Sequence, residues 1–177
     1  MPTVDHDDLA IELAEATLHG DLHVPAHAKG IVLFAHGSGS SRKSVCNRMV
    51  ADVLHVHGFG TLLLDLLTRR EDEVEDLRFD IPLLSRRMNA VVHWAHAQDA
   101  LSTLPIGLFG ASTGAASALY TAAALPDQVM AVVSRGGRPD LALDILSRVQ
   151  APTLLIVGGW DGPVIDMNET ALDALRY

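Results

Sequence analysis

The chain has 177 residues, 49% hydrophobic and 5% aromatic, with a formal net charge of −9 at pH 7. That length and apolar content suffice for one domain, spanning residues 1–177, with a full core. The acidic balance argues against a nucleic-acid partner, because phosphate binding needs clustered Lys and Arg. Mean hydropathy is positive, yet no apolar run reaches the about 18 residues a membrane-spanning helix needs.

Taken in chain order, Ile11–Leu18 and Asp21–Val24 read as strands of a short antiparallel N-terminal hairpin that turns at His19-Gly20. Gly30–Ala35 is a continuous apolar run, the pattern of a strand buried on both faces, and a glycine-rich loop, His36–Ser41, follows it. Ser44–His57 carries apolar residues at Val45, Met49, Val50, Val53, Leu54 and Val56, mostly at helical spacing, and Gly58 suits a left-handed C-cap. The same helix holds Cys46, the one cysteine of the chain, which is expected as a small core residue. A single cysteine allows no intrachain disulfide, and no basic segment leads into an apolar run at the N-terminus, so a cytoplasmic location is expected.

Thr61–Leu66 is the next strand, and Thr68–Asp80 is a charged surface excursion with a capping box predicted at Thr68 and Glu71. Pro82 opens a helix continued by Leu83, Leu84, Met88, Val91, Val92 and Ala95. Pro105–Phe109 is a strand, Thr113–Leu125 an alanine-rich helix, and Val129–Ser134 a strand. Asp140 is expected to cap a helix running to about Val149. Thr153–Val157 is then a strand, and Met167–Arg176 a helix with Asp166 as its N-cap. This alternation predicts an α/β fold, a mostly parallel sheet with helices on both faces.

Three segments carry the chemistry. Gly110-Ala111-Ser112-Thr113-Gly114 joins a strand to a helix and reads as a nucleophile elbow. Small residues surround Ser112 because a nucleophile on so sharp a turn leaves no room for larger neighbours, and the following helix N-terminus favours developing negative charge. The bare pattern is common, so its weight comes from the strand before it and the helix after it. The loop His36-Gly37-Ser38-Gly39 stands where a second oxyanion donor is needed, which makes the backbone N–H of Thr113, with that of Ser38 or Gly39, the candidate oxyanion hole (Ser38 being taken first). His36 is read as holding this loop, with Gly37 and Gly39, rather than as the catalytic base. After the Thr153–Val157 strand, Gly158-Gly159-Trp160-Asp161-Gly162-Pro163 presents Asp161 as the acid that orients a histidine, and Trp160 either packs or lines the pocket beside it. Arg135 should reach the catalytic edge and contact an anionic substrate group, or else shape the Gly136-Gly137 turn. All nine histidines precede Ser112.

LFAHGSGSSR (Leu33–Arg42), TLLLDLLT (Thr61–Thr68), LRFDI (Leu77–Ile81), LPIGLFGASTGAA (Leu104–Ala116), VVSRGGRPDLA (Val132–Ala142) and APTLLIVGGWD (Ala151–Asp161) together resemble the α/β-hydrolase fold and its dienelactone-hydrolase-like family, a group sometimes fused to phosphoribosyltransferase domains. The resemblance implies Ser112 as nucleophile and Asp161 as triad acid. It also implies one further strand, a loop carrying the catalytic histidine and a last helix. The chain is therefore expected to be truncated before its last strand, with Thr153–Val157 left as an apolar edge able to pair with another copy. Dienelactone hydrolase itself has cysteine where this chain has Ser112, so lactone specificity does not carry over.

His93 and His96 lie three apart on a helix but lack a third ligand, so no metal is expected, and the chemistry needs no cofactor. A dinucleotide-binding turn at Gly107–Gly114 is disfavoured because the next strand ends in Ser134-Arg135 rather than an acid. The sequence thus predicts a serine hydrolase acting on a small acyl substrate (an ester, thioester or lactone). The alternative is a non-catalytic domain of the same fold that binds a small ligand.

Overall fold

The computed structural model describes residues 2–175. Seven strands form one sheet in the order β1-β2-β4-β3-β5-β6-β7. They are β1 (Val4–Glu12), β2 (Thr17–Val24), β3 (Ile31–Ala35), β4 (Gly60–Asp65), β5 (Ile106–Ala111), β6 (Val129–Arg135) and β7 (Thr153–Ile156). β1, β2 and β4 pair antiparallel, and β4, β3, β5, β6 and β7 are all parallel. The helices are α1 (Val45–Val56), α2 (Arg69–Asp72), α3 (Ile81–His96), α4 (Thr113–Ala124) and α5 (Gly162–Ala174). Both faces of the sheet are covered, as predicted. On one face α3, α4 and α5 seal a large core that includes Leu33, Leu62, Leu108, Met88, Leu119 and Ala171. On the other, α1 closes a small cluster of Phe34, Ala51, Leu63 and Phe109. Among the described residues no helix is long and apolar enough to cross a membrane.

The local signals for helix ends hold. Thr68 and Glu71 form the capping box of α2, Asp80 caps α3 with Pro82 in its first turn, and Gly58 closes α1 at φ +82°. Four expectations change. The hairpin turns at Leu13–Ala16, where Leu13 N–H donates to Ala16 O at 3.0 Å, and His19-Gly20 lies inside β2. Gly20 is there because a Cβ would meet Leu62 and Ile11, whose side chains lean over it. In place of a helix from Asp140 to Val149, two 3-10 turns span Pro139–Ala142 and Leu146–Arg148. Pro139, Ala142, Ile145, Leu146 and Val149 are buried, a spacing an α-helix would also give, so the burial pattern alone does not distinguish the two. The last helix starts earlier, so Asp161 occupies its N-cap position and Asp166 sits inside it. Cys46 is exposed. Trp94 is partly buried against the core. β7 is the outer strand of the sheet among the described residues, with Leu154 and Ile156 exposed.

One buried ion pair ties the α2 excursion to α3. Arg87, 3% exposed, donates to both Glu71 carboxylate oxygens at 2.6 and 2.7 Å and to Leu66 O at 2.9 Å. Replacing Arg87 by Met would leave Glu71 and the Leu66 carbonyl without their donor. Because Glu71 keeps some solvent and its Thr68 partners, we expect a loss near the low end for a broken buried pair, about 3 kcal/mol in denaturant unfolding. The hydrogen bonds from Arg87, opposed by burial and helped by Thr68, hold the Glu71 carboxyl at about 2 against an ordinary 4.5. A carboxyl depressed in the fold adds stability above its unfolded value and loses it as pH falls toward the folded one. Thermal midpoints measured between about pH 5 and pH 2 should therefore fall more steeply in the parent chain than in Glu71→Gln.

Candidate active site

The parallel strands end on one edge of the sheet. β3 delivers His36–Ser41 there, β5 delivers Ser112, β6 delivers Arg135 and β7 leads into Asp161. Ser112 sits between β5 and α4 at φ 51° and ψ −123°, a conformation that L-residues rarely adopt and that clusters at functional sites. The backbone around it is fixed. Ser112 O accepts from Ala115 N–H and from Arg138 N–H, both at 3.1 Å. Its hydroxyl has no hydrogen-bond partner among the described residues. The glycines are there for proximity: a Cβ at Gly37 would lie 2.7 Å from Ser112 Cβ, and one at Gly114 would lie 2.6 Å from His36 O. Gly39 takes φ +72° in the loop.

Thr113 is the first residue of α4, where backbone N–H groups have no helical partner and the dipole is positive. Its hydroxyl accepts from Ser38 N–H at 3.1 Å, so the two residues named as oxyanion donors touch directly. His36 Nδ1 donates to Gly37 O at 2.8 Å, and its Nε2 stands 3.4 Å from Asp65 Oδ1. Both ring nitrogens thus face partners, one in the loop and one at the end of β4. Asp65 in turn accepts from Arg42 N–H at 2.6 Å and from the Arg42 guanidinium. Burial alone would raise the Asp65 carboxyl, but hydrogen bonds from His36 and Arg42 bring it down to about 2. Arg42 also reaches Asp21 and Asp8, so one guanidinium joins the His36–Ser41 loop region to the N-terminal hairpin.

Arg135 is half-buried, and its Nε is buried without a partner. Asp161 is exposed at the N-cap of α5, and its side chain makes no capping bond. Trp160 is fully exposed, so it neither packs nor lines a described cleft. Two clefts open along the His36–Ser41 loop, and the smaller one reaches Thr113 of the elbow. A slot of about 20 Å³, lined by Leu66, Leu67, Leu84, Ser38 and Thr113, shares His36, Leu67 and Asp72 with a polar cleft of about 430 Å³. The larger cleft adds Arg42, Arg69, Ser40 and Ser41.

Asp65 and Arg42 were not singled out from the sequence. Their one visible signal is Asp65 itself, a charge that interrupts the apolar run Leu62–Leu67 at the end of a buried strand. The Arg42 contacts link residues 21 to 34 positions apart and leave no local pattern. Among the described residues no three His, Cys, Asp or Glu side chains are grouped so as to hold a metal.

The dienelactone hydrolase family model matches residues 16–175. A dienelactone hydrolase structure from Anabaena variabilis superposes with a TM-score of 0.94 at 51% identity, over 99% of this chain and 83% of that one. Est1E from Butyrivibrio proteoclasticus shares the fold at a TM-score of 0.75 and 14% identity, over 96% of this chain and 85% of that one. A Mycobacterium tuberculosis H37Rv protein described as a phosphoribosyl transferase is 51% identical over 170 residues, covering 96% of this chain. The chain spans only 38% of that relative's length. With the family model matched over nearly its whole length and its backbone laid on that of the Anabaena structure, the chain belongs to the dienelactone hydrolase family and has that family's α/β-hydrolase fold.

Proposed function

We propose that this domain is a serine hydrolase that cleaves an ester, thioester or lactone. The observation that carries the reading is the backbone of Ser112: a strained serine at a helix N-terminus, free at its hydroxyl and pressed against Gly37 of the neighbouring loop. Ser112 Oγ attacks the acyl carbonyl, and the oxygen that gains charge is held by the N–H groups of Thr113 and Ser38. Ser38 N–H must turn from the Thr113 hydroxyl to the substrate for this to happen. The leucine slot takes the acyl group. It holds little more than a water molecule, which favours short acyl chains. The polar cleft takes the leaving group, and Arg135 is the candidate for an anionic substituent.

A proton shuttle is also required; among the described residues no histidine bonds the Ser112 hydroxyl, and His36 is engaged at both nitrogens. We therefore assign the base to a group other than these histidines, oriented by Asp161. Residues 1–177 alone should then be nearly inert, retaining about 10³–10⁴-fold over water from the oxyanion hole and binding. The test is hydrolysis of 4-nitrophenyl acetate by residues 1–177 with and without added imidazole, beside Ser112→Ala. Rescue by imidazole that depends on Ser112 supports the reading. The lack of an internal base favours a second reading, a ligand-binding domain without turnover, and no Ser112-dependent rescue would select it.

A further inference from the structure

α1 turns its more apolar side away from the sheet. It buries Asn47 and Ala51 and rests Val50 and Leu54 against Phe34, Leu63 and Phe109. Outward it presents Val45, Met49, Val53 and Val56, which are 73%, 63%, 58% and 85% exposed. Their spacings of four, four and three residues place them in one stripe along the helix. A stripe of this kind on a helix that already has a buried face marks a contact surface.

We propose that this stripe docks a second copy of the chain, α1 against α1, antiparallel about a two-fold axis. The charges beside it select a second copy. Arg48 and Asp52 lie one turn apart on the same flank. An antiparallel copy that sets Met49 against Val53 brings the Arg48 of each chain alongside the Asp52 of the other, so the surface is complementary to itself. Asp52 is 80% exposed, with only a 3.9 Å approach to His55, and is open to such a partner. Arg48 would share its charge between Asp52 and Asp21, which it already contacts at 3.2 Å. α1 is about 18 Å long, less than a standard interface requires, so the dimer is weak, with a dissociation constant of about 10–100 µM. In this register the two Cys46 thiols lie toward opposite ends of the helix pair, and the dimer forms under reducing conditions.

Sedimentation equilibrium of residues 1–177 with reductant, up to about 200 µM, tests this. We expect a monomer–dimer equilibrium that is weakened at least about tenfold in Met49→Lys/Val53→Lys. Arg48→Glu and Asp52→Arg should each weaken it, and the double exchange should restore it. All of these positions are solvent-accessible, so unchanged thermal midpoints will show that the variants fold. A chain that stays monomeric throughout overturns the proposal. So does a dimer that survives the α1 substitutions and is lost instead in Leu154→Lys/Ile156→Lys, which would assign the contact to the β7 edge. A double charge exchange that fails to restore the dimer overturns the antiparallel register.

Discussion

Ser112→Ala will leave the fold intact and remove the activity. With a base present, its turnover of 4-nitrophenyl acetate should fall by about 10⁴–10⁶-fold, the loss expected when a nucleophile is taken from a unit that works only as a whole. Stability should barely change, because the hydroxyl makes no hydrogen bond within the described residues and Ala keeps the same backbone. Ser112→Gly sharpens the contrast. Glycine tolerates a φ of 51°, so this variant should be inactive and more stable than the parent by about 1 kcal/mol in urea unfolding. A residue kept in a conformation that costs stability, when glycine would relieve it, is what a functional demand on that position predicts.

A large structural effect is expected at Gly114. A Cβ there would lie 2.6 Å from His36 O and closer still to Ala35 O. Both are backbone atoms at the end of a central strand, so neither can rotate away as a side chain would. Gly114→Ala should cost about 3 kcal/mol or more by the denaturant midpoint, the upper part of the range for overpacking. Gly158→Ala is the control, since a Cβ there meets nothing within 4 Å and φ is not positive. It should lie within about 0.5 kcal/mol of the parent. The Gly114 clash also pushes α4 away from β3, which separates Thr113 from Ser38. Gly114→Ala is therefore expected to lose oxyanion stabilisation even where enough protein remains folded to assay.

These two positions also show what could be read from the sequence. The elbow was legible because its requirements are local: a strand, small residues around Ser112, and a helix directly after. The β3 loop and the Thr68–Glu71 capping box were legible for the same reason. What was missed depends on distance or on which face of an element turns inward. The sequence pattern suggests a turn at Gly20, but it is a strand glycine because side chains from β1 and β4 close over it. The segment after Asp140 has helically spaced apolar residues that are buried, yet it folds as two 3-10 turns, which the spacing could not reveal. α1 was recognised as a helix, but its apolar residues fall in two stripes, and the period alone could not say that Asn47 and Ala51 face the sheet while Cys46 and Met49 do not. The Arg42 guanidinium joins Asp8, Asp21 and Asp65 from three separate segments, a contact only the folded sheet creates.

The most direct test of the serine-hydrolase reading is where a fluorophosphonate reacts. The reagent forms a covalent bond only with a serine that is positioned and activated, and peptide mass spectrometry locates it. With imidazole supplied as the base, we predict a single adduct on the peptide carrying Ser112, lost in Ser112→Ala and slowed strongly when imidazole is withheld. An adduct on any other serine, or no adduct on folded protein with imidazole present, would contradict the account.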